Sequence, residues 1–318
     1  MKYKLEKNVR DTAPVRNAFN ALAMQTFQLS FEGWYENGCW SQRYQPYTLM
    51  DGGTAAANVS VNLMKTRWNG QIKNYIQLGT VMTHPAYRNQ GLSRYLIEEI
   101  FRDWEERCDG FYLFANETVL DFYPRFGFRR ETEYQCSLPL APSADGKRGK
   151  ARRLDMDSPS GRSLLEAHYR MSNPFSLLPS LDNFNLLMFY CGSFLKDCVY
   201  YLPEYDAAAV AEQDVTSGTL LCHDIFCPPG HSLQEILSCL APAGTQKAVL
   251  GFLPDGIPDS LLTPLSNEDD TLFTRIPKEN PFDGHKLRFP ALFHARFRTS
   301  GGYYKPSQQL QFFLSPLG

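Results

Sequence analysis

A strand end runs straight into an amphipathic helix at residues 83–107, "THPAYRNQGLSRYLIEEIFRDWEER", and this join constrains the fold more than any other feature. From Leu92 onward, apolar and polar residues alternate at the helical period, which predicts a helix about 25 Å long at ~1.5 Å per residue. The first amides of a helix lack intrahelical partners and attract an anion. The turn "YRNQGLS" therefore predicts a diphosphate site, where Gly91 allows close approach and Arg88 adds a charge-assisted hydrogen bond.

The elements around this join predict a mixed sheet flanked by helices. A short strand and a helix open the chain, at "KYKLEKNV" and "VRNAFNALAMQTFQL". Three strand-like runs separated by turn residues then predict an antiparallel meander: "YTLMDGG", "TAAANVSVNLMKTRW" and "NYIQLGTVMTHP". After the helix come a strand, a brief helix and a closing strand, at "GFYLFAN", "ETVLDFYPRFGF" and "RRETEYQCSLPL". The predicted fold class is α/β (α+β), with a mostly antiparallel sheet.

The length of 318 residues, with 43% apolar content, predicts two domains. The exposed, basic composition of "APSADGKRGKARR" places a linker at residues 142–153, between domains at residues 1–141 and 154–318. The second half echoes the first, because "TLLCHDIFCPPGHSLQEILSCL" resembles "IQLGTVMTHPAYRNQGLSRYLIEEI" with about three residues missing around Arg88. These short matches indicate either a degenerate structural repeat or only the shared pattern of strands and helices.

The charge and cysteine content point away from several classes of partner. The 34 acidic and 32 basic residues nearly balance, so the chain has no overall field that recruits nucleic acid or a membrane surface. The N-terminus lacks the apolar core of a secretory signal, and no stretch reaches the ~18 apolar residues of a membrane span. We therefore expect a cytoplasmic protein.

The eight scattered cysteines form no C-x-x-C pair, which favours reduced thiols over a metal site or disulfides.

Two motifs in sequence order carry a family resemblance. The turn "YRNQGLS" is followed, after a strand, by "ANETVLDFYPRFGF", where Asn116 stands at the strand end and Tyr123 lies seven residues later. In these features residues 1–140 resemble the GNAT superfamily of acyl-CoA-dependent N-acyltransferases. That family has Arg/Gln-x-x-Gly-x-Gly/Ala, then a strand, an Asn and a Tyr-x-x-x-Gly-Phe helix. Ser93 departs from the usual Gly or Ala. The resemblance implies two tandem GNAT-like domains, of which the second is degenerate.

The resemblance also implies a site. A strand splayed from its neighbour would map onto residues 77–83 and admit the pantetheine arm of acetyl-CoA, with Tyr123 as the acid that protonates the departing thiolate. The residues alone leave alternatives open, because Asn116 is also a good helix N-cap and Tyr123 also suits a core position. The implied cofactor-binding residues are Val81, Met82, Thr83, Arg88, Asn89, Gln90, Gly91, Leu92, Ser93 and Asn116.

The acceptor side is predicted less directly. The segment "FEGWYENGCW" borders the acceptor in the resembling family and offers charge and cation–π contacts to a cationic amine, with simple lid packing as the alternative. A general base must deprotonate an amine whose ordinary pKa is near 10.4. The acceptor candidates are Glu32, Trp34, Tyr35 and Glu36, and the local base candidates are Glu117, His84 and Asp121.

The expected reaction is transfer of an acetyl group from acetyl-CoA to a primary amine of a small molecule or peptide, by direct attack. We expect no metal, no nucleic acid and no membrane partner, and the sequence leaves the oligomeric state open. The alternative is a non-catalytic acyl-CoA-binding sensor or interaction protein. A doubly wound nucleotide-binding fold fits poorly, because the chain has neither G-x-G-x-x-G nor a Walker lysine and an antiparallel run precedes Arg88.

Overall fold

The computed structural model describes residues 2–140, 151–214, 217–265, 271–293, 298–299 and 302–303. Its α-helices are α1 (Ala13–Phe27), α2 (Glu32–Glu36), α3 (Leu92–Trp104), α4 (Pro159–Tyr169), α5 (Phe184–Cys191) and α6 (Leu233–Leu240). Short 3-10 helices occur at Pro85–Tyr87, Glu117–Val119, Tyr123–Phe126, Pro203–Tyr205, Asp259–Leu261 and Ala291–Phe293. No helix in the described ranges is both long enough and apolar enough to cross a membrane.

The strands of the first half are β1 (Lys4–Glu6), β2 (Tyr44–Asp51), β3 (Thr54–Trp68), β4 (Gln71–Thr83), β5 (Gly110–Ala115), β6 (Arg129–Arg130) and β7 (Tyr134–Pro139). Those of the second half are β8 (Arg152–Arg153), β9 (Val199–Leu202), β10 (Ala207–Asp214), β11 (Thr219–Phe226), β12 (Lys247–Leu250), β13 (Leu262–Pro264) and β14 (Thr271–Arg275). A separate two-stranded pair consists of β15 (Arg298–Thr299) and β16 (Gly302–Tyr303).

The main strands form two seven-stranded sheets with the same topology. The first has the order β1-β2-β3-β4-β5-β14-β6, and the second has the order β8-β9-β10-β11-β12-β7-β13. In each sheet an antiparallel meander is followed by a helix and a parallel strand, as β4–α3–β5 and β11–α6–β12. The predicted fold class, mixed and mostly antiparallel sheets flanked by helices, is confirmed, and the second half repeats the first element by element.

The two sheets exchange their last strands. β14 pairs with β5 of the first sheet, with Phe273 opposite Leu113, and β7 pairs with β12 of the second sheet. The prediction that "RRETEYQCSLPL" forms one closing strand is therefore wrong, because only β6 (Arg129–Arg130) lies at the edge of the first sheet and β7 joins the second. Alternation along β7 correctly indicated a strand, but its inward residues Cys136 and Leu138 pack in the core of the second sheet. Sequence alternation identifies a strand without naming its neighbour.

This exchange bears on the predicted domain limits. Because β7 and β14 each belong to the sheet of the other half, a division into residues 1–141 and 154–318 does not separate the two sheets. Residues 142–150 of the predicted linker lie outside the described residues. At the end of that linker, Arg152 and Arg153 form β8 and pair with β9.

Buried apolar faces hold the layers together. The apolar stripe of α3 packs on one face of the first sheet, where Leu96, Ile97 and Ile100 are fully buried. The helices α1 and α2 cover part of the opposite face. A further core cluster joins the two halves and includes Tyr112 of β5 and Phe289, whose rings stack at 4.1 Å. Because this cluster contains side chains from both halves, the halves share one continuous interior. Burial of each large apolar side chain stabilises the fold by about 1.5–3 kcal/mol.

Candidate active site

An opening lies inside the first sheet, between β4 and β5. These two strands pair in parallel over only three residues, ending with Gln77 opposite Tyr112. Residues 78–83 continue along β3, whereas β5 continues along β14. The splay predicted at residues 77–83 is confirmed, and it leaves backbone N–H and C=O groups facing a gap. Although β4 is a central strand, five of these residues are only half-buried: Gln77, Gly79, Thr80, Val81 and Thr83.

A β-bulge shapes β4 beside the gap. The β3–β4 register shifts after Asn58, and Thr80 has a φ of 48°, a left-handed conformation that costs a β-branched residue roughly 1–3 kcal/mol. Two contacts hold it, because Tyr44 Oη lies 2.5 Å from Thr80 Oγ1 and Asn58 Nδ2 donates to the Thr80 carbonyl at 2.9 Å. Sequence reasoning missed this bulge, although an isolated glycine within a strand, here Gly79, is the pattern that indicates one.

The turn before α3 presents free backbone amides. Asn89 and Gly91 have φ values of 61° and 70°, which bring the chain sharply into the helix. Within the described residues no side chain caps this helix end, and its first turn has no acidic residue. A Cβ built on Gly91 would meet no atom within 4 Å, so the space beside Gly91 is open. The N-terminus of α3 is therefore suited to an anion.

Arg88 stands at the entry to this turn. Its side chain is half-buried, and no carboxylate of the described part of the chain forms an ion pair with it. A guanidinium without an ion-pair partner in the described part of the chain, next to helix amides that no described side chain caps, fits the oxygens of a diphosphate.

The departure at Ser93 has a structural purpose. Its side chain is buried, and its Oγ lies 2.9 Å from Thr83 Oγ1, which ties the first turn of α3 to the end of β4. On the outer side of the turn, Tyr3 Oη donates to Gln90 Oε1 at 2.6 Å. The structure thus brings the predicted turn residues and the predicted strand residues into one site.

Two predicted cofactor residues can act only through their backbone. The side chain of Met82 is 1% exposed and packs in the core beneath α1, and Leu92 is buried against the face of the sheet that α3 covers. Val81 is half-buried in the bulged stretch and belongs to the unpaired edge of β4. Backbone recognition of this kind tolerates any side chain that packs well on the other side.

Asn116 follows β5 and caps the 3-10 helix Glu117–Val119. Its Oδ1 accepts hydrogen bonds from the Thr118 N–H at 2.9 Å and from the Thr118 hydroxyl at 2.6 Å. The N-cap interpretation is therefore confirmed. A contact between Asn116 and the cofactor stays a prediction.

Tyr123 is a buried tyrosine in an aromatic cluster at the start of Tyr123–Phe126. It is 3% exposed, and its ring centroid lies 5.2 Å from that of Phe122, 6.0 Å from Phe128 and 5.9 Å from Phe273. Phe273 belongs to β14, so the second half builds part of this pocket. Burial raises the pKa of Tyr123 above its ordinary value, and the hydroxyl keeps its proton at neutral pH. No backbone group of the described residues bonds this hydroxyl.

The predicted acceptor segment is packed into the molecule. Glu32 forms an ion pair with Arg16 at 3.1 Å, and the Arg16 guanidinium lies 3.7 Å from the ring centroid of Tyr35. Trp34 is buried, and its Nε1 donates to the Asn185 carbonyl at 2.8 Å. The packing interpretation is confirmed for these three positions, and their charge and aromatic faces already have protein partners.

The candidate bases lie at the surface. Glu117 and Asp121 are exposed, as is Glu36 at the end of α2. His84 is half-buried, and its Nδ1 accepts a hydrogen bond from the Ala86 N–H at 3.3 Å, which caps the 3-10 helix Pro85–Tyr87. A catalytic base among them stays a prediction.

The second half has closed the equivalent site. The Oγ of Ser232 caps α6 by accepting from the Glu235 N–H at 3.4 Å, and Glu235 adds a negative charge to the first turn, where it would repel an anion. The strands also lie close together, because the Gly251 N–H donates to the Cys222 carbonyl at 2.7 Å and a Cβ on Gly251 would lie 2.5 Å from the His223 carbonyl oxygen. The N–H of Ala291 donates to the Gly251 carbonyl at 2.7 Å and places a 3-10 helix there.

A buried carboxyl marks the corresponding bulge of β11. The register shifts after Val210, opposite Asp224, which is 1% exposed. Its Oδ1 accepts from Asn173 Nδ2 at 2.6 Å and from the Ile225 N–H at 3.0 Å. Burial raises the pKa of Asp224 to about 7. Its contacts anchor the loop that follows α4, which is a structural role.

Comparison with known proteins agrees with this geometry. Residues 15–130 match the family model described as "Acetyltransferase (GNAT) domain". No curated protein matches the sequence. A probable N-acyltransferase from Enterococcus faecalis V583 is 14% identical over 88% of this chain and 74% of that chain, with a TM-score of 0.58. GCN5-related N-acetyltransferases from Kribbella flavida and Anabaena variabilis are 16% and 13% identical, with TM-scores of 0.55 and 0.54. Each covers 86% of this chain, and 72% and 73% of theirs.

Proposed function

We propose, from the premise that residues 15–130 form a GNAT acetyltransferase domain, that this protein transfers an acetyl group from acetyl-CoA to a primary amine. The first half carries the reaction, and the second half is a sibling of the same fold that supports it. The acceptor is the amine of a small molecule or a peptide.

One observation carries the proposal: the splay between β4 and β5 opens beside the uncapped N-terminus of α3. A long ligand with an anionic end and an amide-bearing arm fits this arrangement. Residues 88–93 would hold the diphosphate of acetyl-CoA through backbone amides and Arg88. The unpaired backbone edge of residues 78–83 would hydrogen-bond the arm, as added strands do at a sheet edge.

Bound acetyl-CoA supplies an acetyl group activated as a thioester. The protein positions the neutral amine nitrogen to form the new C–N bond as the C–S bond breaks. The hydroxyl of Tyr123 gives its proton to the departing sulfur, and the proton that leaves the amine nitrogen restores that hydroxyl, so the products are the N-acetyl amine and the CoA thiol. Backbone N–H groups at the Thr80 bulge would stabilise negative charge on the carbonyl oxygen. The contacts from Tyr44 and Asn58 keep that bulge in place.

The alternative is a non-catalytic protein that binds acyl-CoA and docks a partner. It requires the splay and the α3 amides but has no use for a general acid. The match of Tyr123 to the tyrosine of the GNAT motif favours the enzyme.

Acetyl-CoA is expected to stabilise the protein, and Arg88→Gln is expected to remove most of that effect. Ligand at about a hundred times its Kd contributes about 2.7 kcal/mol to the free energy of unfolding. A lost charge-assisted bond of about 1.5–3 kcal/mol would weaken binding roughly ten- to hundredfold. The measurement is the Tm with and without acetyl-CoA.

Arg102→Gln is the matched control, because Arg102 lies near the other end of α3 and pairs only with Glu99 among the described residues. That variant should retain the full shift. An unchanged Tm of the native protein at saturating acetyl-CoA would remove the proposed function.

A further inference from the structure

A cleft of about 680 Å³ lies between the two halves and is not part of the site described above. Arg10 and Arg43 line it from the first half, and Tyr169, Arg170 and Asp182 line it from the second. Its volume falls within the range of small-molecule sites, roughly 300–1,000 Å³. Both halves are needed to form it.

A path of buried amides connects this cleft to the splay. Asn183 follows the lining residue Asp182, and its Nδ2 lies 3.3 Å from Asn62 Oδ1. Asn62 Nδ2 in turn donates to Gln77 Oε1 at 3.0 Å, and Gln77 is the last β4 residue paired with β5. Asn183 and Asn62 are 2% and 5% exposed. The cleft and the splay therefore lie at the two ends of one polar track.

This track lies on the face of the sheet away from α3. Val61 and Leu63 belong to the core that α3 covers, and side chains alternate along a strand, so Asn62 between them points to the other face. The helix α3 carries the diphosphate site. The cleft consequently lies on the side of the sheet opposite the proposed cofactor, the side left for an acceptor.

The cleft offers guanidinium donors for which the protein supplies few acceptors. Among the described residues, Arg43 has only a 4.0 Å contact with Asp182, and Arg170 uses one terminal nitrogen for Glu166 at 2.6 Å. Asp182 is engaged by Lys65 at 2.6 Å, and this hydrogen bond lowers the pKa of Asp182, which therefore stays ionised. Arginine presents five N–H donors in a planar fork that matches carboxylate and phosphate oxygens.

The charges of the lining residues almost cancel once the neighbouring side chains of Asp11, Glu166 and Lys65 are counted. Arg10 is held by Asp11 through two nitrogens, at 2.7 and 2.9 Å. Selectivity in this cleft therefore rests on the unengaged donors of Arg43 and Arg170 rather than on a strong net field. These donors also disfavour a second ammonium group, which rules against polyamines.

On the basis of the proposed function, we propose that this cleft binds the oxyanion group of the acceptor. The acceptor is then an amine whose far end carries a carboxylate or a phosphate. The carboxylate of Glu32, predicted to hold a cationic amine, is already neutralised by Arg16. The carboxylate of Glu32 is thus unavailable to a polycation. Among the described residues, Arg43 and Arg170 retain N–H donors that can bind an anion.

Binding without acetyl-CoA tests the cleft by itself. Calorimetry would compare 6-aminohexanoate and inorganic phosphate with 6-aminohexan-1-ol, which lacks the oxyanion. We expect the two anions to bind and the alcohol to bind at least tenfold more weakly. The double variant Arg43→Gln/Arg170→Gln should lose at least tenfold in affinity for the anions, and Arg102→Gln should match the native protein. Equal binding of the alcohol, or unchanged anion affinity in the double variant, overturns the inference.

Turnover separates this inference from the proposed function. CoA release from acetyl-CoA would be measured with matched series of ω-amino carboxylates, ω-aminoalkyl phosphates and ω-amino alcohols. We expect a kcat/KM at least tenfold higher for the anionic amines, and loss of that preference in the double variant. Equal rates of CoA release with the amino alcohols and with the anionic amines would overturn the cleft assignment but not the proposed acetyltransferase activity. Anion binding without CoA release from any amine leaves the cleft assignment standing and overturns the acetyltransferase. An unliganded Tm equal to the native value confirms that the double variant folds.

Discussion

Tyr123→Phe is expected to lower turnover by roughly 10²–10⁴-fold while affinity for acetyl-CoA stays the same. The phenylalanine keeps the ring that packs on Phe122, Phe128 and Phe273 and removes only the proton that the departing sulfur would take up in the proposed reaction. Because no described residue bonds the hydroxyl, its loss should leave the Tm nearly unchanged. The measurements are kcat for CoA release and the Kd for acetyl-CoA by calorimetry.

Tyr201→Phe serves as the control. Tyr201 is a half-buried tyrosine of the second sheet, and its hydroxyl donates to Asp206 at 3.3 Å, away from the splay. It should retain native turnover. Native activity in Tyr123→Phe, with an acceptor that the native enzyme acetylates, would eliminate the general-acid role and leave acetyl-CoA binding intact.

A chain that ends at residue 141 is expected to lose both its stable fold and its affinity for acetyl-CoA. It lacks β14, which lies between β5 and β6 and buries Leu272 and Phe273 almost completely. Removing Phe273 alone should cost about 3–5 kcal/mol, against a total stability of about 5–15 kcal/mol for a typical domain. Thermal melting by circular dichroism and calorimetry with acetyl-CoA would show the loss.

Co-expression of residues 142–318 with this fragment provides the control. The second fragment supplies β14 and offers β12 as the partner of β7. We expect the two fragments to co-purify and to regain acetyl-CoA binding. A cooperative melt and native affinity from residues 1–141 alone would show that the exchanged strand is dispensable.

Local patterns were sufficient to predict the parts of the site that depend on neighbours in sequence. The turn "YRNQGLS" lies between a strand and a helix because Gly91 allows the left-handed conformation there and the apolar period begins at Leu92. The splay after Gln77 was implied by family resemblance, and the pairing of β4 with β5 confirms it. The short-range N-cap of Asn116 was likewise visible from residue type.

Contacts between distant segments were not predictable in this way. The strand exchange depends on which sheet edge receives β7 or β14, and two short alternating strands give no information about that choice. The neutralisation of Glu32 by Arg16 depends on how α2 folds against α1. The arginine-lined cleft needs Arg43 and Arg170, which belong to different halves of the chain.

A calorimetric titration of the full chain with acetyl-CoA tests most directly whether one half alone kept the cofactor site. The open, uncapped α3 in the first half and the Ser232-capped α6 in the second predict one acetyl-CoA per chain. The same titration of Arg88→Gln should give an affinity roughly ten- to hundredfold lower. Two sites per chain, or native affinity in Arg88→Gln, would contradict this assignment.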